Sequence, residues 1–267
     1  MHRKRQANHI LNSPSGSITV SMDITIITPV WNNATTIAHC LHSIADQTED
    51  CQHILVDGGS TDVTLDTIEQ CPPSNRVIVS EPDQGMYDAI NKGLKLATGD
   101  VVGVLNSDDF YATNNVFEKV KLAFSDENVD ACYGDLRYVG KDDIQKVVRN
   151  WHSGEYNAKR FYNGWMPPHP TFFLKRRCYE THGGYRLDLG SAADYELMLR
   201  MLLKQGCTAN YIPEVLVHMR NDGMSNSSLK NRISANRHDR KAWKVNGTRP
   251  YPWTLIAKPL RKLVQWL

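Results

Sequence analysis

A chain of 267 residues with 41% hydrophobic and 22% charged composition buries a sizeable core in one main domain, with room for a small appendage. Its net charge of +2 is unevenly placed: residues 1–21 hold three basic groups and no acid, residues 22–225 hold 18 basic and 28 acidic groups, and residues 226–267 hold ten basic groups against Asp239 alone. An acidic body excludes nucleic acid as a partner, no apolar run of about 18 residues marks a membrane span, and six cysteines at least 11 residues apart form no CxxC pair.

Residues 1–21 read as a disordered leader ahead of a domain at 22–225. Asp23 to Thr28 is a β-branched run that predicts a strand stopped at Pro29, and Thr35 to Ala45 reads as a helix. Gln52 to Val56 is a second strand. It leads through Asp57-Gly58-Gly59-Ser60-Thr61-Asp62 into a helix ending before Cys71, with Ser60 or Thr61 as its N-cap. Arg76 to Ser80 is a third strand. In the helix Gly85 to Ala97, Met86, Ile90 and Leu94 fall four residues apart on one face.

Val101 to Leu105 is continuously apolar, as a strand buried on both faces of a parallel sheet requires. Asn115 to Phe124 is helical, Ala131 to Tyr138 a strand candidate, and Trp151 to Trp165 an aromatic-rich stretch. A helix is expected from Ser191 to Lys204 and a strand at Ala209 to Ile212. This alternation predicts an α/β fold: a Rossmann-like, open, mostly parallel sheet flanked by helices, binding its ligands beyond the carboxyl ends of the strands. Pro29, Asp57 and Asp108 all lie there.

Asp108-Asp109 follow a buried strand, and such carboxylates hold Mg²⁺ or Mn²⁺ against a departing diphosphate. An Asp pair also opens an ordinary surface turn. The glycines at 58 and 59 let backbone amides approach a ligand, and a tight turn explains them equally well. Asp194 stands in the first turn of its helix, where it either deprotonates an acceptor hydroxyl or forms a capping box with Ser191. His169, between two prolines, and His182 fall on loops, where a solvated histidine is the default. His218 and Arg220 offer a metal ligand and a phosphate clamp, or are strand-edge surface residues.

Four ordered motifs carry a resemblance: Thr28-Pro29-Val30-Trp31-Asn32, Val56 to Asp62, Glu81 to Gly93, and Ala97-Thr98-Gly99-Asp100 through Leu105-Asn106-Ser107-Asp108-Asp109. From about Asp23 to Ser225 the chain resembles the inverting family 2 glycosyltransferases of the GT-A fold, particularly bacterial enzymes of cell-surface polysaccharide assembly. The resemblance implies a nucleotide pocket lined by Pro29, Trp31, Asn32, Asp57 and Gly58, with Asp57 accepting from the base. Asp83 and the segment holding Asn91 and Lys92 would approach the diphosphate. The fourth motif matches the family's DxD region with Asn106 in first place. That leaves Asp108 as the principal ligand of a Mg²⁺ or Mn²⁺ ion, with Asn106 and Asp109 in support through water or substrate contacts. Ala193-Asp194 falls where family members often carry Glu-Asp, which makes Asp194 the catalytic base.

The expected reaction is a single displacement that moves a sugar from a nucleotide-diphosphate sugar to a saccharide or lipid-linked saccharide acceptor. A sugar nucleotidyltransferase, or a non-catalytic sugar-nucleotide-binding scaffold of an assembly complex, is the alternative. Residues 226–267 read as a basic amphipathic tail. Its segment Trp253 to Leu267 mixes aromatic, aliphatic and basic residues as interfacial helices do. It is expected to hold a cytoplasmic protein to an anionic inner-membrane surface, or to pack on the domain as a terminal helix.

Overall fold

The computed structural model describes residues 22–72, 76–221 and 229–264; the expected leader lies outside them. β1 (Ile24–Val30), α1 (Ile37–Ala45), β2 (Gln52–Asp57), α2 (Thr64–Gln70), β3 (Arg76–Ser80), α3 (Met86–Leu96) and β4 (Val101–Val104) form the first half. These four strands are parallel and ordered β3-β2-β1-β4, as the alternating pattern predicts. Successive β1 side chains point to opposite faces, so Ile24 and Ile26 enter the core under α1 and α2 while Ile27 enters the other core. α3 lies close to the sheet because it carries Gly93, where a Cβ would stand 2.6 Å from Ile27 Cγ2.

β1 does not stop at Pro29. It runs to Val30, pairing Pro29 with Val56 and Val30 with Asp57. In a parallel strand alternate residues bond opposite neighbours, and Leu105 N donates to Ile27 O on the β4 side at 3.1 Å. Pro29 faces that same side, beyond the last β1–β4 pair at Ile27 and Val104, so its missing N–H leaves no ladder bond unmade.

The second half departs from the mostly parallel expectation. β5 (Phe110–Tyr111), α4 (Val116–Ala123), β6 (Ala131–Val139), β7 (Val147–Trp151), β8 (Phe173–Lys175), α5 (Arg176–His182) and β9 (Ala209–Arg220) extend the sheet in the order β4-β8-β6-β9-β5, with β7 also on β6. β8 is antiparallel to both β4 and β6, β5 to β9 and β7 to β6; only β6 and β9 are parallel. The strand at Ala209 runs on to Arg220, past Pro213, because the β6–β9 register shifts from Gly134–Ile212 to Asp135–Val215 and accommodates the proline as an irregularity.

The expected single helix Ser191–Lys204 is three segments: a 3₁₀ turn at Leu187–Ala192, α6 (Ala193–Met198), and a π-helical turn at Leu199–Lys204. α6 begins beyond Ala192 with no side-chain cap, so the Ser191–Asp194 capping box does not form. The α2 cap also moves, to Val63, while Asp62 Oδ1 accepts from Thr64 N at 3.0 Å.

α7 (Leu229–Val245) and α8 (Thr254–Val264) follow. Their described side chains join the domain core: Ala242, Trp243 and Leu255 belong to the same cluster as Ile27, Val102 and Tyr195. Trp243 is fully buried, with Nε1 donating to Tyr195 Oη at 2.9 Å. Lys258 pairs with Asp239 Oδ1 at 2.8 Å and lies over the Tyr195 ring. Where it is described, the segment packs on the domain, its buried side chains joining the second core.

Candidate active site

Three loops leave the carboxyl ends of β1, β2 and β4, and two asparagines tie them together. Asn32 adopts φ 46°, a left-handed conformation that asparagine tolerates better than most side chains. Its Oδ1 accepts from Thr61 N at 2.8 Å, and its own N–H donates to Ser60 Oγ at 2.8 Å. Asn33 Nδ2 donates to Ser107 Oγ at 2.9 Å, and Thr36 Oγ1 donates to Asn33 Oδ1 at 2.7 Å. Trp31, between β1 and these anchors, is left 64% exposed, an uncommon setting for an indole outside a binding surface.

Asp57 is fully buried at the end of β2. It accepts from Gly59 N at 3.2 Å, Ser60 N at 3.1 Å and Ser80 Oγ at 2.7 Å, so its carboxylate shapes the Gly58-Gly59 turn and has little capacity left for a nucleobase. Gly58 faces Asp83, whose Oδ2 would be 2.5 Å from a Cβ at that position. Asp83 Oδ1 accepts from Gly85 N at 2.7 Å. Lys92 pairs with Glu81 at 2.9 Å and donates to Pro82 O at 2.8 Å, holding this loop onto α3. Asn91, expected at the diphosphate, instead clasps the Tyr185 backbone with two bonds of 2.8 Å.

In the loop after β4, Asp109 is fully buried. Burial, and then the Asp108 carboxylate, push its pKa well above the usual range. Asn106 Nδ2 donates to Asp109 Oδ2 at 3.1 Å. Arg220 donates to the Asp108 carbonyl and, at 2.8 Å, to His39 Nδ1. Its guanidinium therefore braces the acid loop through the Asp108 carbonyl and His39. Burial, then Arg220, lower the His39 pKa and keep the ring neutral as an acceptor.

His218 lies on β9 opposite Phe110. It packs edge-on against Phe110 at 5.2 Å and shares a cleft of about 390 Å³ with His39, and no group of three or more metal-ligating His, Cys, Asp or Glu forms among the described residues.

The second half delivers Asp194. Its Oδ1 accepts from Tyr195 N at 2.7 Å, its Oδ2 stands 3.2 Å from His169 Nδ1, and Tyr87 hydrogen-bonds to it from α3. Burial, then Asp194, raise the Tyr87 pKa well above its ordinary value, so the phenol stays protonated as a donor. Arg200 pairs with the buried Glu196 at 2.9 Å and donates to the carbonyls of Gly183 at 2.8 Å and Gly184 at 2.7 Å, fixing the loop beside α6.

His169 joins the two halves. Its Nε2 is 3.4 Å from Asn106 Nδ2, while Nδ1 faces Asp194. In the sequence His169 reads as a solvated loop residue, and Tyr87, Asn33 and His39 do not stand out. The two prolines flanking His169, which restrict its backbone, were the available signal.

The donor set fits a hard divalent cation. Asn106 Oδ1 and Asp109 Oδ1 are both buried without a hydrogen-bond partner, and oxygen is what Mg²⁺ and Mn²⁺ take. A cation near them also relieves the like-charge pairing of Asp108 and Asp109.

A parallel half-sheet edged with carboxylates, completed by a mixed half that carries a facing carboxylate, is an α/β architecture of the GT-A type. Among solved structures the fold matches Staphylococcus aureus TarS 1–349 in complex with UDP-GlcNAc, with TM-score 0.65, 17% identity and coverage of 81% of this chain and 65% of that one. It also matches the Pyrobaculum calidifontis mannosyltransferase PcManGT in complex with GDP-Man and Mn²⁺, with TM-score 0.62, 22% identity and coverage of 90% and 70%.

The chain belongs to glycosyltransferase family 2. Residues 25–183 match the model described as "Glycosyl transferase family 2", which is more than half of the sequence. PGL/p-HBAD biosynthesis glycosyltransferases of Mycobacterium bovis and Mycobacterium tuberculosis are 32% identical over 209 residues, 76% of this chain and 78% of theirs. A chondroitin synthase of Pasteurella multocida is 28% identical over 67% of this chain and 18% of its own length.

Proposed function

We propose that this glycosyltransferase transfers a sugar, with inversion, from a nucleotide-diphosphate sugar to a saccharide or lipid-linked saccharide hydroxyl. The observation that best supports the reading is the single imidazole of His169 spanning the acid loop and the Asp194 carboxylate, with Nε2 3.4 Å from Asn106 Nδ2 and Nδ1 3.2 Å from Asp194 Oδ2. Asp194 takes the acceptor proton as the hydroxyl oxygen forms its bond to C1. The bond from C1 to the diphosphate oxygen breaks, and its electron pair leaves with the diphosphate. Asp108, with the oxygens of Asn106 and Asp109 in support, would hold a Mg²⁺ or Mn²⁺ ion, which would supply charge neutralisation at the leaving group. Trp31 and the Gly58–Asp83 contact line the nucleotide side. Membership of the family sets the nucleotidyltransferase alternative aside.

The test is a panel of nucleotide sugars with Mn²⁺, assayed for donor hydrolysis and for transfer to saccharide acceptors. Turnover of one donor that stops with EDTA is expected. A protein that binds a donor and never cleaves it would instead be the scaffold.

The anionic membrane surface is retained as a partner on a specific feature. α8 buries Thr254 and Leu255 but leaves Ile256 and Leu260 62% and 55% exposed, and with Trp253 just before the helix, 52% exposed, they form an apolar stripe facing outward. Arg240, Lys244 and Arg249 line a neighbouring cleft. Packing on the domain and lying on a bilayer are thus compatible, because opposite sides of α8 serve each. No helix among the described residues is long and apolar enough to cross a membrane. Vesicle co-sedimentation with phosphatidylglycerol should be lost in the double variant Ile256→Glu, Leu260→Glu; unchanged sedimentation overturns the assignment.

A further inference from the structure

The first place of the DxD-like segment holds an asparagine, and its surroundings require one. Asn106 Nδ2 meets two acceptors, Asp109 Oδ2 at 3.1 Å and His169 Nε2 at 3.4 Å. With its NH₂ group on this side the amide serves the Asp109 carboxyl and the ring nitrogen at once, one N–H to each. An amide N–H at Nε2 leaves that ring nitrogen with its lone pair. In a neutral imidazole the proton then sits on Nδ1, which is the nitrogen 3.2 Å from Asp194 Oδ2.

We propose that His169 is a positioning residue for the base, held in its Nδ1–H tautomer by Asn106, and that it aims the Asp194 carboxylate into the crevice together with Tyr87. The inference rests on the transfer reading above for its functional meaning, but the tautomer itself does not. An aspartate at 106 has no N–H to give. It would add a carboxylate beside Asp109 and pull the imidazole proton to Nε2, turning a lone pair toward Asp194. Asn106 therefore serves the base as well as the cation side.

The test has two arms. In the full ¹⁵N-labelled chain without donor, imidazole nitrogen shifts, assigned by their loss in His169→Asn, should report protonated Nδ1 and bare Nε2. In Asn106→Asp the proton should appear on Nε2. A wild-type ring protonated on Nε2 alone overturns the proposal, whether or not any sugar is transferred. In the kinetic arm, His169→Ala should lower kcat about 10- to 100-fold, the usual range for losing an orienting partner, with donor KM within about threefold of wild type. His169→Asn keeps an N–H near the Nδ1 position and should recover most of that loss. Asn106→Asp should be slower than wild type despite restoring the family's acidic pattern. Full activity in His169→Ala, or in Asn106→Asp, overturns the proposal, whereas a wild-type protein that cleaves no donor overturns only the transfer reading.

Discussion

Asn91 on α3 and Tyr185 in the loop after α5 are 94 residues apart in sequence and exchange two hydrogen bonds of 2.8 Å, amide to carbonyl in both directions. The clasp ties the parallel half of the sheet to the loop ahead of Asp194. Tyr185 in turn stacks on Tyr87 at 5.5 Å, the phenol that bonds to Asp194. Asn91→Ala should strand two backbone groups and destabilise the fold by about 1–3 kcal/mol in urea titrations. It should also lower kcat more than it raises donor KM. A change in donor KM alone would return Asn91 to the diphosphate.

Asp194→Asn removes the proton acceptor and preserves the shape. Transfer should fall by roughly 10²–10⁴-fold in initial-rate assays, the scale of general-base catalysis, with donor affinity by calorimetry nearly intact. Asp108→Ala should weaken donor affinity as well, because its carboxylate acts through the cation and the diphosphate.

Trp243→Ala should cost about 3–5 kcal/mol, since a fully buried indole is lost together with its bond to Tyr195 Oη. Asn246, one turn on, donates to Glu196 Oε1 at 3.1 Å, so a chain ending near Ser225 also loses support for the Glu196–Arg200 pair. Such a truncation should fail to give a cooperative unfolding transition by circular dichroism. A truncated chain as stable as the whole would show that α7 is dispensable.

Acid should destabilise the protein through His53. The ring is fully buried against Thr28 Oγ1 at 3.0 Å, and burial, then Arg76, depress its pKa from 6.5 to about 3. A depressed histidine keeps its full stabilising contribution above the unfolded value of 6.5 and loses it as pH falls toward about 3. In that window the unfolded chain binds the extra proton, at about 1.4 kcal/mol per pH unit. His218, lowered to about 4 by burial and Arg137, acts in the same direction. Unfolding free energies at pH 7.5, 6 and 5 should show the decline, and His53→Gln should flatten it by about one proton. An unchanged slope would assign the acid sensitivity elsewhere.

The first half of the fold was legible in the sequence because its signals are local. The apolar run at Val101–Val104, the glycine turn after Asp57 and the four-residue spacing in α3 each determine their own element, and parallel alternation follows from their order. Trp31, Asp108 and Asp194 were legible as motif positions. What the tertiary structure decided concerns partners far apart in the chain. Whether Asp194 caps its helix or faces a crevice depends on His169 and Tyr87, 25 and 107 residues away. Whether Asn91, Lys92 and Arg220 reach a phosphate depends on which backbone groups claim them first. Residues 226–267 read as a tail because their charge is one-sided, yet burial is a property of the neighbours a residue meets. Trp243 meets Tyr195 only once the sheet has brought α6 beneath it.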